Sequence, residues 1–186
     1  MIGTREPAGC VFCDALTQPA SDPLVLYRGA TCFVILNLYP YNNGHLMIVP
    51  NRHVGRLADA SPEELYELME LTRRAEVALG EAYQPEGLNL GINLGRPAGA
   101  GVVDHLHVHA VPRWTGDTNF MSVVGNVRVL PEHLEETAKR LRPIFERLAG
   151  IKNDARDSVG PGRPADGDGK AKASPTQRKD DEFAGT

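Results

Sequence analysis

At 186 residues the chain has room for one domain and an appendage. A hydrophobic fraction of 41% and a formal charge of −4 describe an ordinary globular protein without the basic footprint of a nucleic-acid binder, although one phosphate chain can be neutralised locally. No apolar run approaches the roughly 18 residues of a membrane span, and the start MIGTREPAGCVFC lacks the pattern of an export signal, so a cytoplasmic location is expected.

Cys10 and Cys13 form a C-x-x-C pair, which in a reducing compartment reads as metal-binding or redox-active rather than as a disulfide. Strands are expected over 24–27 and 31–38, around the turn residues Arg28-Gly29, and Cys32 in the apolar run TCFVIL reads as a small core residue. PYNNG is a turn, and HLMIV (45–49) is a third buried strand. Ser61, Pro62 and Glu64 then make a helix start with a capping box. Leu65, Leu68, Met69, Thr72, Ala75, Val77 and Leu79 follow at roughly helical spacing, up to Pro85. Strands are expected over 87–95 and 105–111, the latter closed by Pro112. A last amphipathic helix spans about 131–148, with Leu134, Leu141, Ile144, Phe145 and Leu148 available for burial. One helix among strands, without regular alternation, favours an α+β domain of residues 1–150: an antiparallel sheet of about five strands, a main helix on one face and a C-terminal helix. Residues 151–186 have too little apolar surface to offset their ordering entropy and are expected to be a disordered polar tail.

The segment Asp104-His105-Leu106-His107-Val108-His109-Ala110-Val111 alternates imidazoles with apolar residues. At strand period His105, His107 and His109 share one face; at helical period the first two would point roughly 200° apart. Positions i and i+4 on a strand lie about 13 Å apart, so one ion with bonds of about 2 Å can hold two adjacent members of the row but hardly the first and third. At least one histidine is left for other work. Three imidazoles buried together without partners would be costly, which argues against a merely structural row. Cys10 and Cys13 supply half of a structural zinc site, and His53 with one histidine of the row could complete it; a loose thiol pair is the alternative that spacing leaves equal.

The row His-Leu-His-Val-His-Ala-Val resembles the signature of the histidine triad family. The flanks agree: Ile35-Leu36-Asn37-Leu38-Tyr39-Pro40, Gly44-His45-Leu46-Met47-Ile48-Val49-Pro50, Asn89 to Gly95, and Val111-Pro112-Arg113-Trp114 running into Gly116-Asp117-Thr118-Asn119-Phe120. The last block is similar to the bacterial branch that includes diadenosine tetraphosphate phosphorylases. The likeness covers about residues 10–148.

The resemblance implies a nucleotidyl hydrolase or transferase acting on diadenosine polyphosphates. His107 would be the nucleophile on the α-phosphorus, forming an AMP-histidine intermediate, with His109 stabilising phosphate charge and His45 orienting the triad. It also implies a structural zinc ion on Cys10, Cys13, His53 and His105. Leu36 would line the nucleoside pocket and Asn37 hold the ribose. Asn93 and the loop Gly99-Ala100-Gly101 would face phosphate, and Trp114 would stack on the second base or lie in the core. Family members pair into a two-fold homodimer with one continuous sheet, and the apolar strand ending at Leu94 suits that. One departure concerns Gly101, four residues before His105, where several members carry Gln, Ser or Thr; it leaves the acceptor, water or inorganic phosphate, open. Rival readings are a nucleoside phosphoramidate hydrolase, a nucleotide-binding regulator with little turnover, and a metal-dependent enzyme using the row as an open site. No nucleic-acid or membrane partner is expected.

Overall fold

A computed structural model of the chain describes residues 9–17, 22–117 and 132–150; the expected tail lies outside the described residues. Strands β1 (Val25–Arg28), β2 (Cys32–Leu36), β3 (Leu46–Pro50), β4 (Gly87–Ile92) and β5 (Val108–Arg113) form one antiparallel sheet in the order β1-β2-β3-β5-β4. Among the described residues it is joined by helices α1 (Val11–Thr17), α2 (Pro62–Tyr83) and α3 (Leu134–Gly150), with short 3-10 turns at Leu57–Asp59 and Arg96–Ala98. The α+β architecture expected from sequence is the one observed, with α1 as an addition.

Strand periodicity sorts the core into two faces. Cys32, Val34, Leu36, Leu46, Ile48, Val108 and Ala110 pack with Leu68, Leu71, Ala75 and Leu79 of α2 and Leu141 and Phe145 of α3. The intervening residues Phe33, Ile35, Met47 and Val49 meet Phe12 and Ala15 of α1. Cys32 is the core residue its apolar run suggests; burial pushes its thiol up to about 12, which leaves it inert.

The capping box forms: Ser61 Oγ accepts from the Glu64 N–H at 3.2 Å, and the Glu64 carboxylate accepts from the Ser61 N–H at 2.7 Å. Arg52 also clasps Glu64 through two nitrogens, and that hydrogen bonding holds the Glu64 carboxyl below its usual range. A cap of this kind contributes about 1 kcal/mol. The buried stripe is Leu68, Leu71, Thr72, Ala75, Ala78 and Leu79, spaced three and four residues apart. Met69, one step of about 100° off that stripe, is 61% exposed, and Val77 is also exposed, contrary to the sequence expectation. The helix stops at Tyr83, where Gln84 takes the left-handed conformation (φ 47°) and returns its N–H to Gly80 O.

Two contacts tie α2 to the sheet turns. Glu67 accepts from the N–H groups of Ala30, Thr31 and Cys32 and from the Thr31 hydroxyl, locking the turn between β1 and β2. Burial alone would raise the Glu67 carboxyl, but these bonds hold it below the usual carboxylate value. Gly44 (φ 79°) closes the PYNNG turn, and a Cβ there would lie 2.9 Å from the Tyr83 ring, so only glycine fits.

The strand expected over 105–111 begins instead at Val108 and runs through Pro112 to Arg113. Leu106 donates to Val54 O at 2.6 Å, so the chain ahead of β5 bonds to the loop after β3 rather than to a strand. Pro112 is tolerated because β3 pairs only as far as Ala110; its carbonyl accepts from the Asn42 amide on that vacant side.

Candidate functional site

On the α1 side of the sheet two groups of side chains meet. The first is brought together from three segments: Cys10 and Cys13 at the start of α1, His53 after β3, and His105 ahead of β5. Their ligand atoms all lie within 4.8 Å of one another. His105 Nδ1 is 3.2 Å from Cys10 Sγ and 3.7 Å from Cys13 Sγ, and His53 Nδ1 is 3.4 Å from Cys13 Sγ. A zinc ion with bonds of about 2.3 Å to sulfur and 2.0–2.1 Å to nitrogen spans tetrahedral edges of about 3.5 Å, so the spacing fits. The tautomer fits too. His105 Nε2 lies 2.9 Å from the carbonyl of Pro50, which can only accept, so the proton sits on Nε2 and Nδ1 presents a lone pair to the cluster. Burial, and then Cys10, push the Cys13 thiol up.

The second group is His45, His107 and His109, with Phe12 between the two groups. The Phe12 ring lies 5.4 Å from that of His105 and 5.1 Å from that of His107. His107 Nδ1 lies 2.8 Å from the His105 carbonyl and must donate to it. The Nε2 lone pair is thereby left bare, without a hydrogen-bond partner among the described residues. Burial pulls the pKa of His107 below the usual imidazole value, against the effect of that hydrogen bond. The imidazole is therefore neutral at pH 7, as a nitrogen nucleophile must be.

His45 is fully buried and sets the third imidazole. Tyr41 N–H donates to His45 Nδ1 at 3.1 Å, so the His45 proton is on Nε2, 3.0 Å from His109 Nδ1. His109 accepts there and carries its own proton on Nε2. Burial first, and then His107, lower the pKa of His109 to about 4, so it is a neutral donor at neutral pH. The His107 and His109 rings stand 4.8 Å apart at 78°. A bare nucleophilic nitrogen thus lies beside an N–H donor, the pair needed to attack a phosphorus and to steady the charge on its oxygens.

The expected nucleotide-binding residues divide. Leu36 faces the wrong way: it is buried against α2 and α3, opposite the histidines, because strand parity puts Ile35 and Met47 on the His109 face. Asn37 stands at the end of β2 beside the site. Its Oδ1 accepts from Tyr39 N–H at 3.0 Å and its amide nitrogen lies 3.3 Å from His45 Nδ1, so part of its hydrogen-bonding capacity is used within the protein. Asn93 reaches Gly99 O at 3.5 Å across a tight loop in which Gly95 and Gly99 have positive φ. The N–H groups of Ala98, Gly99 and Ala100 all bond inside that loop, whereas the Gly101 N–H has no partner among the described residues. Of Gly99, Ala100 and Gly101, only the last therefore offers a backbone donor to an anion. Trp114 is half-buried, outside the core, in a turn closed by Asp117.

Sequence reasoning missed Phe12 and Ile35, whose signals were their positions inside the C-x-x-C and one residue from Leu36. It also missed Tyr41, Asn42 and Asp117. Asp117 accepts from Asn42 at 2.8 Å and from Arg113, which joins the PYNNG turn to the turn of Trp114.

Comparison with known proteins finds a family model, the HIT domain, matching residues 18–116. The AP-4-A phosphorylase of Mycobacterium tuberculosis is 47% identical over 124 residues, which are 67% of this chain and 64% of that protein. The chain thus spans under two thirds of the length of that relative. The asymmetrical bis(5'-nucleosyl)-tetraphosphatase of Schizosaccharomyces pombe is 32% identical over 130 residues, 68% of each chain. Among solved structures, a Zn-bound histidine triad family protein of Mycobacterium smegmatis superposes with a TM-score of 0.61 and 30% identity, covering 77% of this chain and 97% of that one.

Proposed function

Because the chain belongs to the HIT domain family, we propose that it is an enzyme that cleaves dinucleoside polyphosphates, with diadenosine tetraphosphate as the test substrate. The observation that carries this reading is the pair of opposed tautomers: a bare Nε2 on neutral His107 beside an N–H on neutral His109. His107 Nε2 attacks the α-phosphorus, and the bond from phosphorus to the bridging oxygen breaks. The leaving nucleoside polyphosphate departs with that oxygen. His109 donates to a non-bridging oxygen while charge builds there, and His45 holds His109 in the donating tautomer. Water or inorganic phosphate then attacks the AMP-histidine, and the P–N bond returns its electron pair to His107. Asn93, the Gly101 N–H and Trp114 are assigned to the nucleotide, with Ile35 in place of Leu36 on the pocket side.

Cys10, Cys13, His53 and His105 are assigned to one structural zinc ion, which would fix α1 against the triad and leave no ligand position for substrate. A thiolate ligand set suits a reducing compartment, in keeping with the cytoplasm. Among the described residues no helix is long and apolar enough to cross a membrane. A homodimer is assigned to the β4 edge, where Leu90 and Leu94 are 45% and 49% exposed. Residues 1–150 are taken as the catalytic domain.

Incubating diadenosine tetraphosphate with the protein, with and without inorganic phosphate, tests the activity. ATP plus ADP formed only with phosphate identifies a phosphorylase, whereas ATP plus AMP identifies an asymmetrical hydrolase. An unchanged substrate in both arms, with turnover of an adenosine phosphoramidate instead, would replace this reading by the phosphoramidate one.

A further inference from the structure

The loop from Leu38 to Tyr41 presents its side chains outward: Leu38 is exposed, Tyr39 is 81% exposed and Tyr41 47% exposed. Such exposure of two tyrosines usually goes with a loose loop, yet this one is fastened at three points. Asn37 Oδ1 accepts the Tyr39 N–H, His45 Nδ1 accepts the Tyr41 N–H, and the Asn42 amide donates to both Pro112 O and Asp117, each at 2.8–3.1 Å. One face of the Tyr41 ring packs on His45, 4.8 Å between centroids at 32°, and the ring centre is 6.3 Å from that of His109. Tyr41 therefore borders His109, to which the reading above brings the phosphate chain, and the residue as a whole is 47% exposed. An aromatic surface on a fastened backbone beside a phosphate site lowers the ordering cost of binding and suits a nucleobase, whose π-face stacks on tyrosine whatever its identity.

We propose that Tyr41, with Tyr39 on the same fastened loop, forms a stacking platform for the base of the leaving nucleotide of a dinucleoside polyphosphate. The proposal rests on the reading of the site given above. It makes the loop a determinant of preference for substrates with two bases over those with one. The Asn42–Asp117 bond gives the platform a fixed relation to the turn that carries Trp114.

The test is calorimetric binding to the full-length His107→Ala protein, which does not consume its ligands. Diadenosine tetraphosphate and AMP are titrated separately into it and into the same protein carrying Tyr41→Leu, Tyr41→Phe or Tyr39→Ala. Tyr41→Leu is expected to weaken the dinucleotide about tenfold and AMP less than about twofold, with Tyr41→Phe restoring the dinucleotide affinity. Tyr39→Ala is expected to weaken the dinucleotide alone, by a smaller factor. Equal loss for both ligands would make Tyr41 merely a support for His45 and overturn the platform, as would no loss for either. If the His107→Ala protein bound neither ligand, the nucleotide site itself would fall, and the platform with it.

Discussion

A carbonyl oxygen has no proton to give, and two such oxygens decide how the histidines divide their work. Pro50 O accepts from the Nε2–H of His105 and so leaves Nδ1 facing the cysteines; His105 O accepts from the Nδ1–H of His107 and so bares Nε2. Nitrogen NMR of the metal-loaded protein should therefore find His107 in the Nδ1–H form and His109 in the Nε2–H form, with His109 uncharged throughout pH 6–8 because its pKa is about 4. The opposite tautomer on His107 would remove the nucleophile assigned here. His109→Ala should slow turnover less than His107→Ala, since it deletes charge stabilisation and keeps the attacking atom; the ratio of the two kcat values checks this. Glu67 carries a separate prediction on stability. Its folded pKa lies below its unfolded value, so the stability it lends is complete above about pH 4.3 and is lost as the pH falls through the folded value. Urea titrations between about pH 6 and pH 3 should show Glu67→Gln less stable at pH 6 and its disadvantage shrinking on acidification.

Among the elements, α1 shows why part of the site escaped sequence reasoning. Seven residues are too few to display a helical period, and Cys13 within it and Cys10 just before it face the cysteine–histidine cluster rather than the core. Its C-x-x-C was legible; the Phe12 it carries against His107 was not. The triad alternation was legible for a related reason, because period two marks a strand whatever its exact limits. Its limits were missed because Leu106 bonds to Val54, a long-range contact that no local pattern encodes. The capping box of α2 is plain, since caps are local, whereas the parity that buries Leu36 in the core and turns Ile35 toward the histidines shows only once the strand pairing is known. If α1 is held chiefly by metal, then Cys10→Ser should lower the melting temperature by about 5 °C or more and abolish stoichiometric zinc, leaving His107 chemistry partly intact. Metal analysis and a thermal melt of protein purified without chelator check both. Full metal content in the variant would show that Cys10 is no ligand.

At the scale of the whole molecule, β4 has no strand on its outer side among the described residues, and Leu90 on it and Leu94 just beyond it are exposed, while Met69 projects from α2. Edges of that kind are normally covered. Sedimentation at micromolar concentration is expected to give twice the monomer mass, and Leu90→Lys to shift it toward the monomer; a monomer in the unaltered protein would count against pairing. Both imidazoles of the proposed reaction come from one chain. The most direct test of the account is a rapid quench of the full-length protein with diadenosine tetraphosphate, at alkaline pH to preserve a P–N bond, followed by peptide mass mapping. An added AMP on the peptide containing His107 is predicted, absent from His107→Ala, whose turnover falls by orders of magnitude while AMP affinity stays within about tenfold, or 1.4 kcal/mol. Near-normal turnover in His107→Ala, or an adduct on another residue, would contradict it.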